Sequence, residues 1–115
     1  MSDCIFCRIV AGEIPATLVK QSPEAVAFRD LNPQAPVHVL VVPVAHYDAV
    51  RDVSGAEGER LLGRLLAFAA ELATEMGLDA GGYRIVANTG KDGGQSVPHL
   101  HLHLLGGRHM KWPPG

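Results

Sequence analysis

Hydrophobic and polar positions along this chain recur with two periods, and each period marks a different kind of element. Residues 98–105 read Pro-His-Leu-His-Leu-His-Leu-Leu. Successive side chains of a strand point to opposite faces. The segment therefore predicts a strand with His99, His101 and His103 on one face and Leu100, Leu102 and Leu104 on the other. Pro98, which donates no backbone hydrogen bond, suits its first position. Residues 37–44 form an almost unbroken apolar run interrupted by His38, the pattern of a central strand covered on both faces. Residues 17–21 and 25–30 predict two short strands around the turn Ser22-Pro23-Glu24, and residues 83–88 predict another.

Helical spacing governs two other stretches. Ile5, Phe6, Ile9 and Val10 predict a short helix ended by Gly12. Leu61, Leu62, Leu65, Phe68, Ala69, Leu72 and Met76 mark a long amphipathic helix closed by Gly77. Ser54 and Glu57 stand before it in capping-box positions. Short strands, one long helix and hairpin-length connections predict one α+β domain over residues 1–115, with a mostly antiparallel sheet.

Composition narrows the function classes. The chain has 115 residues, 47% hydrophobic and 19% charged, enough for a real core and too apolar for a disordered tail. Ten Lys and Arg against twelve Asp and Glu leave a net charge of -2. No basic field recruits nucleic acid, so an anionic ligand must be held by local N–H groups, histidines and hydroxyls. With no 18-residue apolar run and no secretory leader pattern, the expectation is a cytoplasmic protein that does not enter a membrane.

Three of the six histidines fall within five residues. A strict row of imidazoles opposite three leucines is poorly explained as core packing. Successive Cα atoms in such a row stand about 6.6 Å apart. Alternating imidazoles can chelate a metal. They can also serve a phosphate, one as nucleophile and its neighbours as donors or acid/base groups. His38, inside an apolar strand, is either a satisfied core residue or a partner of that row. His46 follows the same strand and is either a surface residue or a ligand.

Cys4-Ile5-Phe6-Cys7 admits a zinc half-site, a redox pair or an inert pair. The zinc reading needs two more ligands, because structural zinc is four-coordinate. The redox reading wants a preceding strand and a thioredoxin-like unit. Residues 88–98, rich in glycine, run directly into the histidines and favour a phosphate cradle, since glycine lets backbone N–H groups approach an anion closely.

The His-x-His-x-His run with apolar intervening positions resembles the histidine triad (HIT) superfamily signature. Residues 28–38 resemble that superfamily's ribose- and base-binding segment, and Asp92-Gly93-Gly94-Gln95-Ser96-Val97 and the ending Trp112-Pro113-Pro114-Gly115 resemble its Hint branch, the purine nucleoside phosphoramidases. The resemblance covers nearly the whole chain. It implies the HIT fold: a five-stranded antiparallel sheet, one long helix and a short N-terminal helix, joined edge to edge in a homodimer. The implied reaction is hydrolysis of a purine nucleoside 5′-phosphoramidate, such as an AMP amide, through a nucleotidyl-histidine. The superfamily alternatives are dinucleoside polyphosphate hydrolysis or a non-enzymatic nucleotide-binding scaffold.

By position the resemblance makes His101 the nucleophile, with His103, Ser96 and His38 completing the catalytic set. Ser96, Gln95 and the Gly94 N–H join His101 and His103 on the phosphate and leaving amine. Asp30 meets the ribose, Phe6, Ile9, Phe28 and Leu31 wall the purine, and Asn88 takes the ribose-phosphate end. Cys4, Cys7, His46 and His99 would hold one structural zinc, as in the family's zinc-bearing bacterial-type members. The tryptophan-bearing tail is expected against the partner subunit.

Overall fold

The computed structural model describes residues 3–115. A short helix α1 (Ile5–Val10) is followed by strands β1 (Leu18–Gln21), β2 (Ala25–Arg29) and β3 (Val37–Pro43). A 3-10 turn (Val50–Asp52) leads into the long helix α2 (Gly55–Glu75), and β4 (Tyr83–Ala87) and β5 (Leu102–Gly106) complete the chain. The five strands form one antiparallel sheet in the order β1-β2-β3-β5-β4. The expected α+β fold, with a central 37–44 strand, is therefore present. Among the described residues no helix is long and apolar enough to cross a membrane.

Strand alternation divides the core in two. Ala25, Ala27, Val39, Val41, Leu102 and Leu104 face α2 and pack on Leu61, Leu65, Phe68, Ala69 and Leu72. Val26, Phe28, Leu40 and Val42 face the other way and pack with Phe6, Ile9 and Val10 of α1. His38 shares the parity of Leu40, and Leu40 is the Cα partner of His103. Directly paired residues project to the same side of a sheet, so the imidazoles lie on the α1 face and the long helix is scaffold behind them.

Two expectations need correction. The histidine run is not a strand throughout: β5 begins at Leu102, and residues 99–101 lie outside the ladder. The ladder ends at Val41↔Leu102. Beyond it β3 has only Val42, which pairs with Val26 of β2, and Pro43, which offers no N–H. Leu100 N–H instead bonds the Tyr47 carbonyl at 2.6 Å. The leucine alternation survives, since Leu100, Leu102 and Leu104 all enter the α2 core.

The capping box is also absent. The Ser54 side chain makes no cap hydrogen bond, and the Glu57 carboxylate pairs with Arg60. At the other end Gly77 terminates α2 as expected, with φ +75°.

The tail lies beside its own sheet. The Arg84 guanidinium donates to the Lys111 carbonyl at 3.0 Å, and Trp112 is 82% exposed.

Phe68 is fully buried at the centre of the α2 interface. Phe68→Ala should cost about 3–5 kcal/mol, the transfer term plus an unfilled cavity, read as a lower midpoint in urea unfolding.

Candidate active site and metal centre

The site assembles from α1, the ends of β2 and β3, the glycine loop and the start of β5. An apolar slot of about 240 Å³ opens between α1 and the sheet, lined by Phe6, Ile9, Phe28, Asp30, Leu31 and Ser96 among others. All five residues expected around the base and ribose therefore meet there, Leu31 on the rim because it is fully exposed. Ile14, Pro15, Leu40 and Val97 complete the walls. Phe6 stands edge-on to Phe28 with centroids 5.4 Å apart, and edge-on to His101 at 5.1 Å. One ring thus joins the slot to the histidines.

Hydrogen bonds set each imidazole's tautomer. A carbonyl only accepts, so His101 Nδ1–H donates to the His99 carbonyl at 2.7 Å. The neutral ring then carries its lone pair on Nε2. His38 is oriented the other way: Nδ1 accepts the Gln34 N–H at 3.0 Å, so Nε2–H donates to His103 Nδ1 at 2.9 Å. That leaves His103 with its proton on Nε2.

His101 and His103, with ring centroids 5.0 Å apart, therefore present an acceptor and a donor side by side. Burial, helped by the His101 and His38 charges and opposed by Asp30, lowers His103 from 6.5 to about 4. Burial likewise lowers His38, against the pull of Asp30. Asp30 Oδ2 stands 3.4 Å from His38 Nε2. Asp30, His38 and His103 also sit close enough for a metal, but His38 Nε2 carries a proton, which makes them a hydrogen-bond chain.

The glycine loop is folded on itself. A Cβ at Gly93 would stand 2.4 Å from the Thr89 carbonyl oxygen, so only glycine fits. Two of the residues expected at the phosphate make bonds inside the loop. Gly94 N–H is committed to the Lys91 carbonyl at 3.1 Å. The Gln95 carboxamide is spent within the chain: Oε1 accepts Gly90 N–H, and Nε2 donates to the Asp48 and Val97 carbonyls. Both residues build the loop. Ser96, by contrast, is exposed and lines both the slot and the adjoining cavity beside His46. Asn88 lies on the far side of His103, in a cavity shared with His38, Arg84, Met110 and Pro114.

Cys4, Cys7, His46 and His99 converge with their ligand atoms within 4.8 Å of one another. Cys4 Sγ to His99 Nδ1 is 3.2 Å, Cys7 Sγ to His46 Nδ1 is 3.3 Å, and the two Nδ1 atoms are 3.1 Å apart. A tetrahedral ion with sulfur and nitrogen ligands has edges of about 3.3–3.8 Å, close to these values.

The tautomers fit too. His99 Nε2–H donates to the Pro43 carbonyl at 3.0 Å and His46 Nε2–H to Asp48 Oδ1 at 2.7 Å, so both Nδ1 lone pairs face inward. Burial keeps His99 lowered, against the Pro43 hydrogen bond. Cys4 Sγ also accepts the Cys7 N–H at 3.4 Å. This donor set suits a soft, four-coordinate cation with no open position. Asp48, Gln34 and the Pro43 carbonyl were missed in the sequence. The His-x-Asp spacing at 46–48 was the one available clue, because ligand imidazoles pair with carboxylates.

The HIT domain model matches residues 11–110. A purine nucleoside phosphoramidase of Escherichia coli strain K12 is 47% identical over 106 residues, spanning 92% of this chain and 88% of that protein. A 14 kDa zinc-binding protein of Brassica juncea is 48% identical over 115 residues, spanning 98% and 100%. The crystal structure of a HIT family hydrolase from Legionella pneumophila Philadelphia 1 superposes with a TM-score of 0.94 at 49% identity, over 98% of this chain and 100% of that one. With a family match over residues 11–110 and relatives of this identity along nearly its whole length, the chain belongs to the HIT domain family.

Proposed function

We propose that this chain is a nucleotide hydrolase that cleaves the P–N bond of purine nucleoside 5′-phosphoramidates through a nucleotidyl-histidine at His101. The observation that carries this reading is the pair of opposed tautomers: a lone pair on His101 Nε2 beside an N–H on His103 Nε2. The E. coli relative's activity supports the substrate class. The purine lies in the slot of Phe6, Ile9, Phe28 and Leu31, with the ribose hydroxyls on Asp30 and the ribose-phosphate end toward Asn88.

His101 Nε2 attacks the α-phosphorus, forming a P–N bond to the ring while the P–N bond to the amine breaks. The bonding pair leaves on the amine nitrogen, which takes a proton from the Ser96 hydroxyl and its solvent contact. The ring becomes a phosphorylated imidazolium, whose Nδ1–H still faces the His99 carbonyl. Water then attacks phosphorus and gives up a proton that restores Ser96 and its solvent contact, while the P–N bond to the ring breaks with its electron pair returning to Nε2, releasing the nucleotide and the neutral ring. With its pKa near 4, His103 is uncharged at neutral pH and serves as a hydrogen-bond donor to the phosphoryl oxygens. His38 acts through His103 as a positioning residue.

His101→Ala should lower turnover by several orders of magnitude while AMP affinity stays within about tenfold, because the slot and Asp30 supply the binding contacts. His103→Ala should lose about 10²–10³-fold, the usual cost of one preorganised donor. Rapid quenching with a slow substrate should trap a phosphorus–nitrogen adduct on His101. A quenched enzyme without that adduct, together with net inversion at phosphorus, would mean direct attack by water.

Cys4, Cys7, His46 and His99 would hold one structural zinc per chain, a reading supported by the donor geometry and by the zinc-binding relative. The ion supplies cross-linking of the N-terminal segment to the catalytic segment and no chemistry on substrate. Thiolate ligation suits a reducing, cytoplasmic compartment. Cys4→Ala should lower metal content and melting temperature together, since zinc binding contributes folding free energy. Unchanged zinc in that variant would exclude the site.

A homodimer joined at the β4 edge completes the proposal. β4 is a regular five-residue edge, whereas the β1 edge is four residues long and bulged. An unprotected regular edge is the one that templates pairing. Light scattering should give twice the 12.2 kDa chain mass. A monomer at micromolar concentration would refute the edge pairing.

A further inference from the structure

The residue proposed as nucleophile stands where the sheet no longer holds the backbone. β5 starts at Leu102, so His101 and the five residues before it depend on ties other than the ladder. Those ties converge on His46, Tyr47 and Asp48. His46 meets His99 at the metal centre, with Nδ1 atoms 3.1 Å apart. Tyr47 offers its carbonyl to Leu100 N–H, and Asp48 offers its own to Gln95 Nε2. Gln95 in turn holds Gly90 N–H at 3.0 Å. Asp48 also fixes His46 through the Nε2–H bond at 2.7 Å.

His99 closes the circuit. Its Nδ1 faces the metal centre, its Nε2–H is held by Pro43, and its carbonyl takes the Nδ1–H of His101. Without a cation, weak sulfur–nitrogen hydrogen bonds from Cys4 and Cys7, at 3.2 and 3.3 Å, tie the two imidazoles to the N-terminal segment. The exposed His46 is then the one free to swing away, taking the Tyr47 and Asp48 carbonyls with it.

We propose that the metal centre positions the nucleophile: it fixes His99 and the 46–48 loop, and through them the tautomer of His101 and the closure of the glycine loop. Gln95 is the positioning residue that carries this to the loop. The inference rests on the reading of His101 as nucleophile and of Cys4, Cys7, His46 and His99 as ligands. A displacement of about 1 Å at a reacting atom costs on the order of 10²-fold. Metal loss should therefore act on kcat, while KM and AMP affinity, set by the slot, change little.

The test compares zinc-loaded and chelated protein without nucleotide, by NMR of the His101 Nδ1–H and by hydrogen exchange of the Gly90 amide. We expect both protons to exchange at least tenfold faster after chelation, while the Val39 and Val41 amides of the central strand stay protected. AMP affinity should move less than threefold and kcat should fall about 10²-fold. Unchanged exchange at both positions with an intact core would overturn the inference, and so would a protein that binds no zinc.

If chelation unfolds the chain, Gln95→Met decides. It leaves every metal ligand in place, so zinc content should stay at one per chain while Gly90 exchange accelerates and kcat falls at constant KM. Normal Gly90 exchange in that variant overturns the proposal. An adduct trapped on a residue other than His101 overturns the functional reading and this inference with it. An adduct on His101 with unchanged exchange overturns this inference alone.

Discussion

The chemistry available at this site follows from one constraint: each imidazole has two nitrogens, and the partner of one decides what the other can do. His99 and His101 sit two residues apart and are set oppositely. His99 gives its Nε2–H to the Pro43 carbonyl and turns the Nδ1 lone pair to the cysteines. His101 gives its Nδ1–H to the His99 carbonyl, which leaves its lone pair on Nε2. His38, anchored by a backbone N–H, donates its Nε2–H to His103 Nδ1 and so leaves the proton of His103 on Nε2. Four chemically identical rings thus acquire four roles from their backbone and side-chain partners.

Burial makes those roles durable. His38, His99 and His101 are all buried, and desolvation lowers the proton affinity of His38, His99 and His103. A charged imidazole there would be very costly, and an unbonded neutral one costly to a lesser degree. Burial favours the neutral form of His38, His99 and His103, and all four rings are hydrogen-bonded, so lone pairs and N–H groups point in fixed directions before any ligand arrives. That preorganisation is what makes a modest donor effective at a phosphoryl group.

The sheet supplies the division of labour. Its α2 face is filled with Leu65, Phe68, Ala69 and the alternating leucines of the histidine run, and it carries stability. Its α1 face is thinner, a cluster around Phe6, Phe28 and Leu40, and it leaves the slot open. Because β2, β3 and β5 are antiparallel neighbours in register, Phe28, His38, Leu40 and His103 are brought to one side by parity alone.

The sequence by itself determined the element order, the central strand, the leucine core face and the sets of residues that meet. The elements and the core face rest on periodicity, and the sets of residues that meet rest on the resemblance of the motifs to the histidine triad family. Only the tertiary structure decided where β5 starts, because that depends on Pro43 lying opposite residue 100 and offering no N–H. It alone removed the capping box, since Glu57 finds Arg60 before it finds the backbone. It alone assigned Gly94 and Gln95 to building the loop, because a carboxamide's partners are chosen by where Asp48 and Gly90 fold to. The tautomers, too, were invisible in the sequence: they are set by the carbonyls of Pro43 and His99 and the N–H of Gln34. Backbone groups are the same at every position, and only the fold says which of them a ring will meet.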